Sequence, residues 1–136
     1  MRIEKHEEVL KEVLDEINAA LKDKNGLKIH QRRLAFSISL GAVNLIEIRL
    51  HKLDVMKEGS RIDHRWFKKW KDKILEHLGN QITSPINSIK HIDKIIEIAI
   101  KIEEKRDDIA YGAPVEEKIL QEKINLFFEL KDIVKC

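Results

Sequence analysis

Aromatic side chains are scarce in this sequence, at 5% of 136 residues, so a buried core has to be assembled mainly from Ile, Leu, Val and Ala. Cysteine occurs once, as Cys136 at a terminus expected to fray, which excludes an intramolecular disulfide and any cysteine-rich zinc spacing. The histidines, at positions 6, 30, 51, 64, 77 and 91, form no His-x-x-x-His pair, so the helical zinc signature is missing too. There is no glycine-rich phosphate loop, no nucleophile elbow and no dinucleotide fingerprint, and the corresponding enzyme classes lose support. No metal and no cofactor are expected. Apolar residues never alternate with polar ones over a useful length and no hairpin dipeptide occurs, so no β-strand is predicted. The longest apolar runs are broken by charges such as Glu47 and Glu97, short of the ~20 apolar residues of a membrane-spanning helix. With a charged start, Arg2-Ile3-Glu4-Lys5-His6-Glu7-Glu8, this predicts a soluble cytoplasmic protein with no membrane partner.

What the chain does have is charge and branched aliphatics. Charged residues make up 37%, yet the formal net charge is only +2, too small by itself to imply an acidic partner. The abundance of Lys, Glu and Ile suits a helical protein with solvated outer faces, and the length suits a single domain spanning residues 1–136. Over residues 3–21, Val9, Leu10, Val13, Leu14, Ile17, Ala20 and Leu21 follow the three-and-four spacing of one helix, stopped by Asp23-Lys24-Asn25-Gly26. A second helix is expected over residues 28–53. Its middle is apolar or small nearly all round, with Ala35, Ser37, Ser39, Gly41 and Ala42 permitting close approach, which predicts either the central helix of a bundle or a subunit interface.

After a loop over residues 53–59, Ser60 and Asp63 resemble a capping box. The third helix it would open runs to Leu78, with Trp66, Phe67, Trp70, Ile74 and Leu78 as its buried stripe. Six basic against two acidic side chains give residues 61–73 a net +4, leaving −2 for the rest, so basic charge is concentrated there. Ser84-Pro85 predicts the start of a fourth helix running towards Ala110, ended by Gly112 and Pro114, and a fifth covers residues 115–135. The expected fold class is all-α, an up-and-down bundle of about five helices.

The candidate site is the polar interruption between the last two apolar patterns, Lys105-Arg106-Asp107-Asp108-Ile109-Ala110-Tyr111-Gly112. Together with the helix order and the small-residue-rich second helix, this motif resembles the HEPN superfamily of small α-helical proteins. The resemblance covers most of the chain as a layout, and the motif is its sequence-specific part. It implies a HEPN-like bundle that forms a homodimer, with an arginine and, after a short spacer, a histidine at the dimer cleft. Many members are metal-independent ribonucleases, often toxins paired with a small nucleotidyltransferase antitoxin. On that match Arg106 takes the place of the family arginine and Asp107 that of the polar residue commonly following it, while Tyr111 stands where the family has histidine.

Cleaving RNA without a metal requires removing the 2′-hydroxyl proton, stabilising charge on the phosphorane and protonating the leaving oxygen. Arg106 can serve only the second task, with a forked donor that fits phosphate. A tyrosine, titrating near ~10, is a poor general base. Tyr111 could donate a hydrogen bond or a proton, so Asp107, Asp108 or a histidine from elsewhere in the fold would have to supply the base; otherwise anion binding outlives cleavage. Arg106, Asp107 and Tyr111 are the candidate catalytic residues. The competing reading makes them a solvated helix end, since on an unbroken helix Arg106 and Tyr111 lie about 140° apart.

Two further basic features carry the same ambiguity. Trp66 and Trp70 amid the basic third helix could stack on bases or be core anchors. His30-Gln31-Arg32-Arg33 could contact phosphates or be a polar helix start. Glu47 and His51, one turn apart, could share a proton or a metal, or form a helix-surface pair. The functional expectation is an RNA- or nucleotide-engaging protein, possessing at most an impaired ribonuclease site. The alternative is a non-catalytic helical interaction module or dimeric scaffold that partners a nucleotidyltransferase.

Overall fold

In the computed structural model, residues 2–135 are described; Met1 and Cys136, and with it the expected fraying of the terminal cysteine, lie outside the described residues. The three-and-four apolar spacing at the start of the chain folds into α1 (Ile3–Lys22), which buries Val13, Ile17 and Ala20. After the cap at Asp23, Gly26 turns the chain at φ 91°, an angle that glycine adopts without a Cβ penalty. A 3-10 turn, Leu27–His30, then leads into α2 (Gln31–Lys52). This helix packs against α1, α4 (Ile92–Glu103), α5 (Arg106–Tyr111) and α6 (Glu117–Lys135), so it is the central helix of the bundle. Gly41 shows how close its partners come: a Cβ there would lie 2.5 Å from Phe127 Cε1 on α6 and 2.9 Å from Val13 Cγ1 on α1.

Contrary to the expectation from the broken apolar runs, Leu27–Lys52 is by length and composition apolar enough to cross a membrane; within the fold 67% of an apolar 18-residue stretch of it is buried. Its hydrophobicity is that of a helix with protein on several sides.

Residues 54–91 depart most from expectation. No capping box forms at Ser60. Asp63 is the cap, its Oδ1 accepting from Arg65 N at 2.9 Å, and it opens only a 3-10 turn, His64–Lys68. Trp70 is extended, with ψ 150°, and α3 (Lys71–Gly79) starts after it. Because of this break, Trp66 and Trp70 are not one α-helical turn apart. Phe67, Ile74 and Leu78 enter the core, Trp66 is half-buried and stacked on His77 at 4.9 Å, and Trp70 is 88% exposed, so the core-anchor reading fails for Trp70.

Likewise Ser84-Pro85 opens a 3-10 turn, Ile86–Ser88, and α4 begins only after His91 in a left-handed conformation. The expected fourth helix also breaks before the motif: Lys105 is left-handed at φ 59°, and the six-residue α5 follows. Among the described residues the result is an all-α helical bundle of five helices of nine or more residues plus α5. Among the described residues the sole β-type pairing is an isolated bridge, Met56 to Ile82.

Glu47 and His51 are not a surface pair. Glu47 is buried, accepting from Ile62 N through Oε1 at 2.6 Å, and faces His6, itself buried. His6 Nδ1 lies 2.7 Å from Asn44 Oδ1, whereas its Nε2 approaches Glu47 Oε2 at 3.1 Å too obliquely for a hydrogen bond. The His51 ring lies 5.2 Å from that of His6. Burial pushes the His51 imidazole below its ordinary pKa, and the neighbouring His6 adds to this while Glu47 partly opposes it.

Two outcomes follow from this packing. The unfolded chain takes up a proton on His51 near ~6.5 and the folded chain resists it, so His51's contribution to stability is complete above that pH and is lost as pH falls below it. Urea unfolding midpoints should therefore drop between about pH 7.5 and about pH 5.5 by less in His51→Gln than in the parent. Gly41→Ala forces a methyl into Phe127 and Val13, at a cost of about 1–3 kcal/mol that outweighs the ~1 kcal/mol a helical Gly→Ala exchange otherwise gains; thermal unfolding should show a lower Tm.

Candidate functional site

The motif residues are positioned by the break between α4 and α5. Lys123 on α6 donates from Nζ to the carbonyls of Lys101, Ile102 and Glu104, at 2.5, 3.2 and 2.6 Å, placing a cation on the electronegative end of α4. Burial pushes the Lys123 ammonium below its ordinary pKa despite Glu104 and Glu103 nearby. The far end of α5 is latched to α2. Gln31 Nε2 donates to Ile109 O at 3.0 Å and Ala113 O at 3.1 Å, its Oε1 accepts from Val115 N at 2.9 Å, and Arg32 donates to Ala110 O at 2.9 Å. Gly112 is required sterically, since a Cβ would lie 2.5 Å from Asp108 O.

These contacts answer the question posed by His30-Gln31-Arg32-Arg33. Gln31 and Arg32 hold α5, His30 Nε2 meets Asp23 Oδ2 at 2.8 Å, and Arg33 Nε donates to Glu16 Oε1 at 3.0 Å. The run is an architectural helix start.

Arg106 and Tyr111 lie on one continuous short helix, yet both reach Phe36 of α2. The Arg106 guanidinium stands 4.9 Å from the centroid of the Phe36 ring, a cation–π arrangement, and Tyr111 meets the same ring edge-on at 5.6 Å. No bend between them is needed. Arg106 is mostly covered, with 14% of its side chain exposed; Nη1 donates to Asp107 Oδ1 at 2.9 Å and the buried Nε has no hydrogen-bond partner. Tyr111 is 69% exposed. Asp107 bridges Arg106 and Lys68, whose Nζ donates to Oδ2 at 2.6 Å. Lys68 foremost, then Arg106, holds the Asp107 carboxyl below its ordinary pKa, which makes it a weaker base and suits it to orienting cations rather than taking protons.

Two open clefts meet at Arg106. One, of about 380 Å³, lies between the chain at Phe67, Lys68 and Lys69 and the α4–α5 break from Glu103 to Asp108. The other, of about 600 Å³, is lined by Phe36, Ser39, Leu40, Val43, residues 61–65 and Arg106. Two guanidiniums, Arg61 and Arg65, face the second cleft with Arg106. Arg65 is engaged by Asp63 at 2.6 Å, and that pairing lowers the Asp63 carboxyl to a pKa of about 2.

Sequence reasoning missed three residues at this junction. Glu103, 3% exposed, accepts from Ser39 Oγ through Oε2 at 2.9 Å and meets His64 Nδ1 through Oε1 at 2.6 Å. A signal existed, because Glu103 continues the buried register of Ile92, Ile95, Ile96, Ala99 and Ile102, where a carboxylate needs buried partners. Nothing in local spacing tied His64 or Ser39 to it. Among the described residues no group of three or more His, Cys, Asp or Glu side chains could hold a metal ion. Comparison of the chain with family models, characterised proteins and solved structures returns no match.

Gln31→Ala removes three hydrogen bonds and leaves two carbonyls and one N–H of the α5 connection unpaired, a loss of about 2–4 kcal/mol. Amide hydrogen exchange should accelerate over residues 109–115 before it does in α1.

Proposed function

We propose that this chain is a HEPN-like cytoplasmic protein that engages RNA or a nucleotide through Arg106, acting as a homodimer. One observation carries the reading: the Arg106 guanidinium lies over the Phe36 ring and Arg106 lines both clefts. A guanidinium immobilised this way is suited to a phosphate. The neighbouring Arg61, Arg65 and Lys68, and the exposed Trp70 flanked by Lys69 and Lys71, add the charged and stacking surface that single-stranded nucleic acid uses. Phe36 and Leu40, one turn apart on α2 and 39% and 50% exposed, supply an apolar strip beside Arg106 against which a second copy would close the cleft.

The same strip favours a second reading. With Tyr111 in place of the motif histidine, Phe36, Leu40 and Tyr111 make an apolar patch for a protein partner such as a nucleotidyltransferase, and the site would then be a non-catalytic interaction module.

Binding of a labelled single-stranded RNA of mixed sequence separates the two. On the first reading affinity falls steeply with salt, and Arg106→Ala weakens it by about tenfold or more, the worth of a charge-assisted contact of about 1.5–3 kcal/mol. Unchanged affinity in Arg106→Ala, measured by fluorescence anisotropy, would leave the interaction module.

A further inference from the structure

Resting on the RNA-engaging reading, we propose that His64 is the proton-transfer group of this site, oriented by Glu103, so that the position left without histidine at Tyr111 is served from the 3-10 turn His64–Lys68. The buried Glu103 carboxylate is fixed by Ser39 Oγ at 2.9 Å and meets His64 Nδ1 at 2.6 Å. A carboxylate in that place makes Nδ1 the protonated nitrogen and directs the lone pair to Nε2. His64 keeps 32% of its side chain exposed on the wall of the 600 Å³ cleft that Arg106 also lines. Glu103 precedes Arg106 by three residues, so one short stretch of chain supplies both the phosphate ligand and the residue that orients the base.

The arrangement has the division of labour that metal-independent RNA transesterification needs. Arg106 holds a non-bridging phosphate oxygen. His64 Nε2 takes the 2′-hydroxyl proton as the 2′-oxygen bonds to phosphorus. The bond from phosphorus to the 5′-oxygen breaks, that oxygen takes a proton from water, and the imidazolium returns its own to solvent. The products are a 2′,3′-cyclic phosphate and a 5′-hydroxyl. Glu103 touches no reacting atom; it is a positioning residue that fixes the tautomer and stabilises the imidazolium while it exists. Asp107, bridged between Lys68 and Arg106, is not the base.

The test uses the full chain, a mixed-sequence single-stranded RNA as substrate and its all-deoxy analogue as a binding probe that cannot react. Cleavage should leave 2′,3′-cyclic phosphate ends. His64→Gln should lower kcat by about a hundredfold or more, the range of lost general acid–base catalysis, with affinity for the deoxy probe unchanged. Glu103→Gln, which keeps the shape and removes the charge, should lower kcat while leaving the affinity for the deoxy probe unchanged. His64→Gln is on a partly exposed turn and stays informative if Glu103→Gln fails to fold. Parent-like kcat in His64→Gln overturns the assignment, as does Arg106-dependent RNA binding with no cleavage by the parent, an outcome that leaves the binding role intact. Absence of any Arg106-dependent binding instead overturns the RNA-engaging reading on which this rests.

Discussion

The candidate site depends on one interaction, the ammonium of Lys123 lodged against the end of α4. Without a cap the last carbonyls of α4 would be satisfied most simply by continuing the helix, as the apolar pattern from Ile92 to Ala110 invites. Lys123 satisfies two of them, and the carbonyl of the following Glu104, from α6, Lys105 turns left-handed, and α5 sets off anew. That restart lets Arg106 lie on Phe36 while Glu103, three residues earlier, stays in the register of the core. On a continuous helix the two residues would have been tied to one straight axis; the break separates a buried carboxylate from a cleft-facing guanidinium.

The second constraint is electrostatic. A carboxylate with 3% exposure would be strongly disfavoured in its charged form without partners. Ser39 and His64 provide them, which draws the 3-10 turn carrying His64 onto α2 and α4. The small residues of α2 therefore do two things: Gly41 lets α1 and α6 approach closely, and Ser39 contributes its hydroxyl in a position where a larger residue would push Glu103 away. Packing and site chemistry share the same helix because α2 has neighbours on nearly every side.

Where one period governs a stretch, the sequence was legible. α1, α2 and α6 match the expected helices within a few residues, since their apolar spacing is sustained for several turns. The stretch from Leu53 to His91 was not, for a physical reason: its folding is decided by single caps and extended residues, Asp63 and Trp70 above all, rather than by periodicity. A Trp at helical spacing reads as core, and only the break before Lys71 puts Trp70 in solvent. Arg106, Asp107 and Tyr111 could be selected as a polar interruption, and the structure does bring Arg106 and Tyr111 to one ring, Phe36. Phe36 itself, His64 and Ser39 were out of reach, because contacts separated by 39 or 64 residues in the chain leave no mark in local spacing.

Tyr111 looks like a loss when the motif is read linearly, because a phenol takes the place of an imidazole. In three dimensions the exposed Tyr111 ring packs edge-on against Phe36 and helps hold the surface on which the Arg106 guanidinium rests. An imidazole there would compete with Arg106 for Asp107 or for the ring, and when protonated would set a second cation on the same aromatic face. Tyrosine avoids that repulsion. An arginine fixed on a Phe–Tyr pair and a histidine fixed by a buried glutamate can each be positioned without disturbing the other. In that arrangement the tyrosine supports the ring on which the Arg106 guanidinium rests, and the His64 imidazole is held by the buried Glu103 carboxylate.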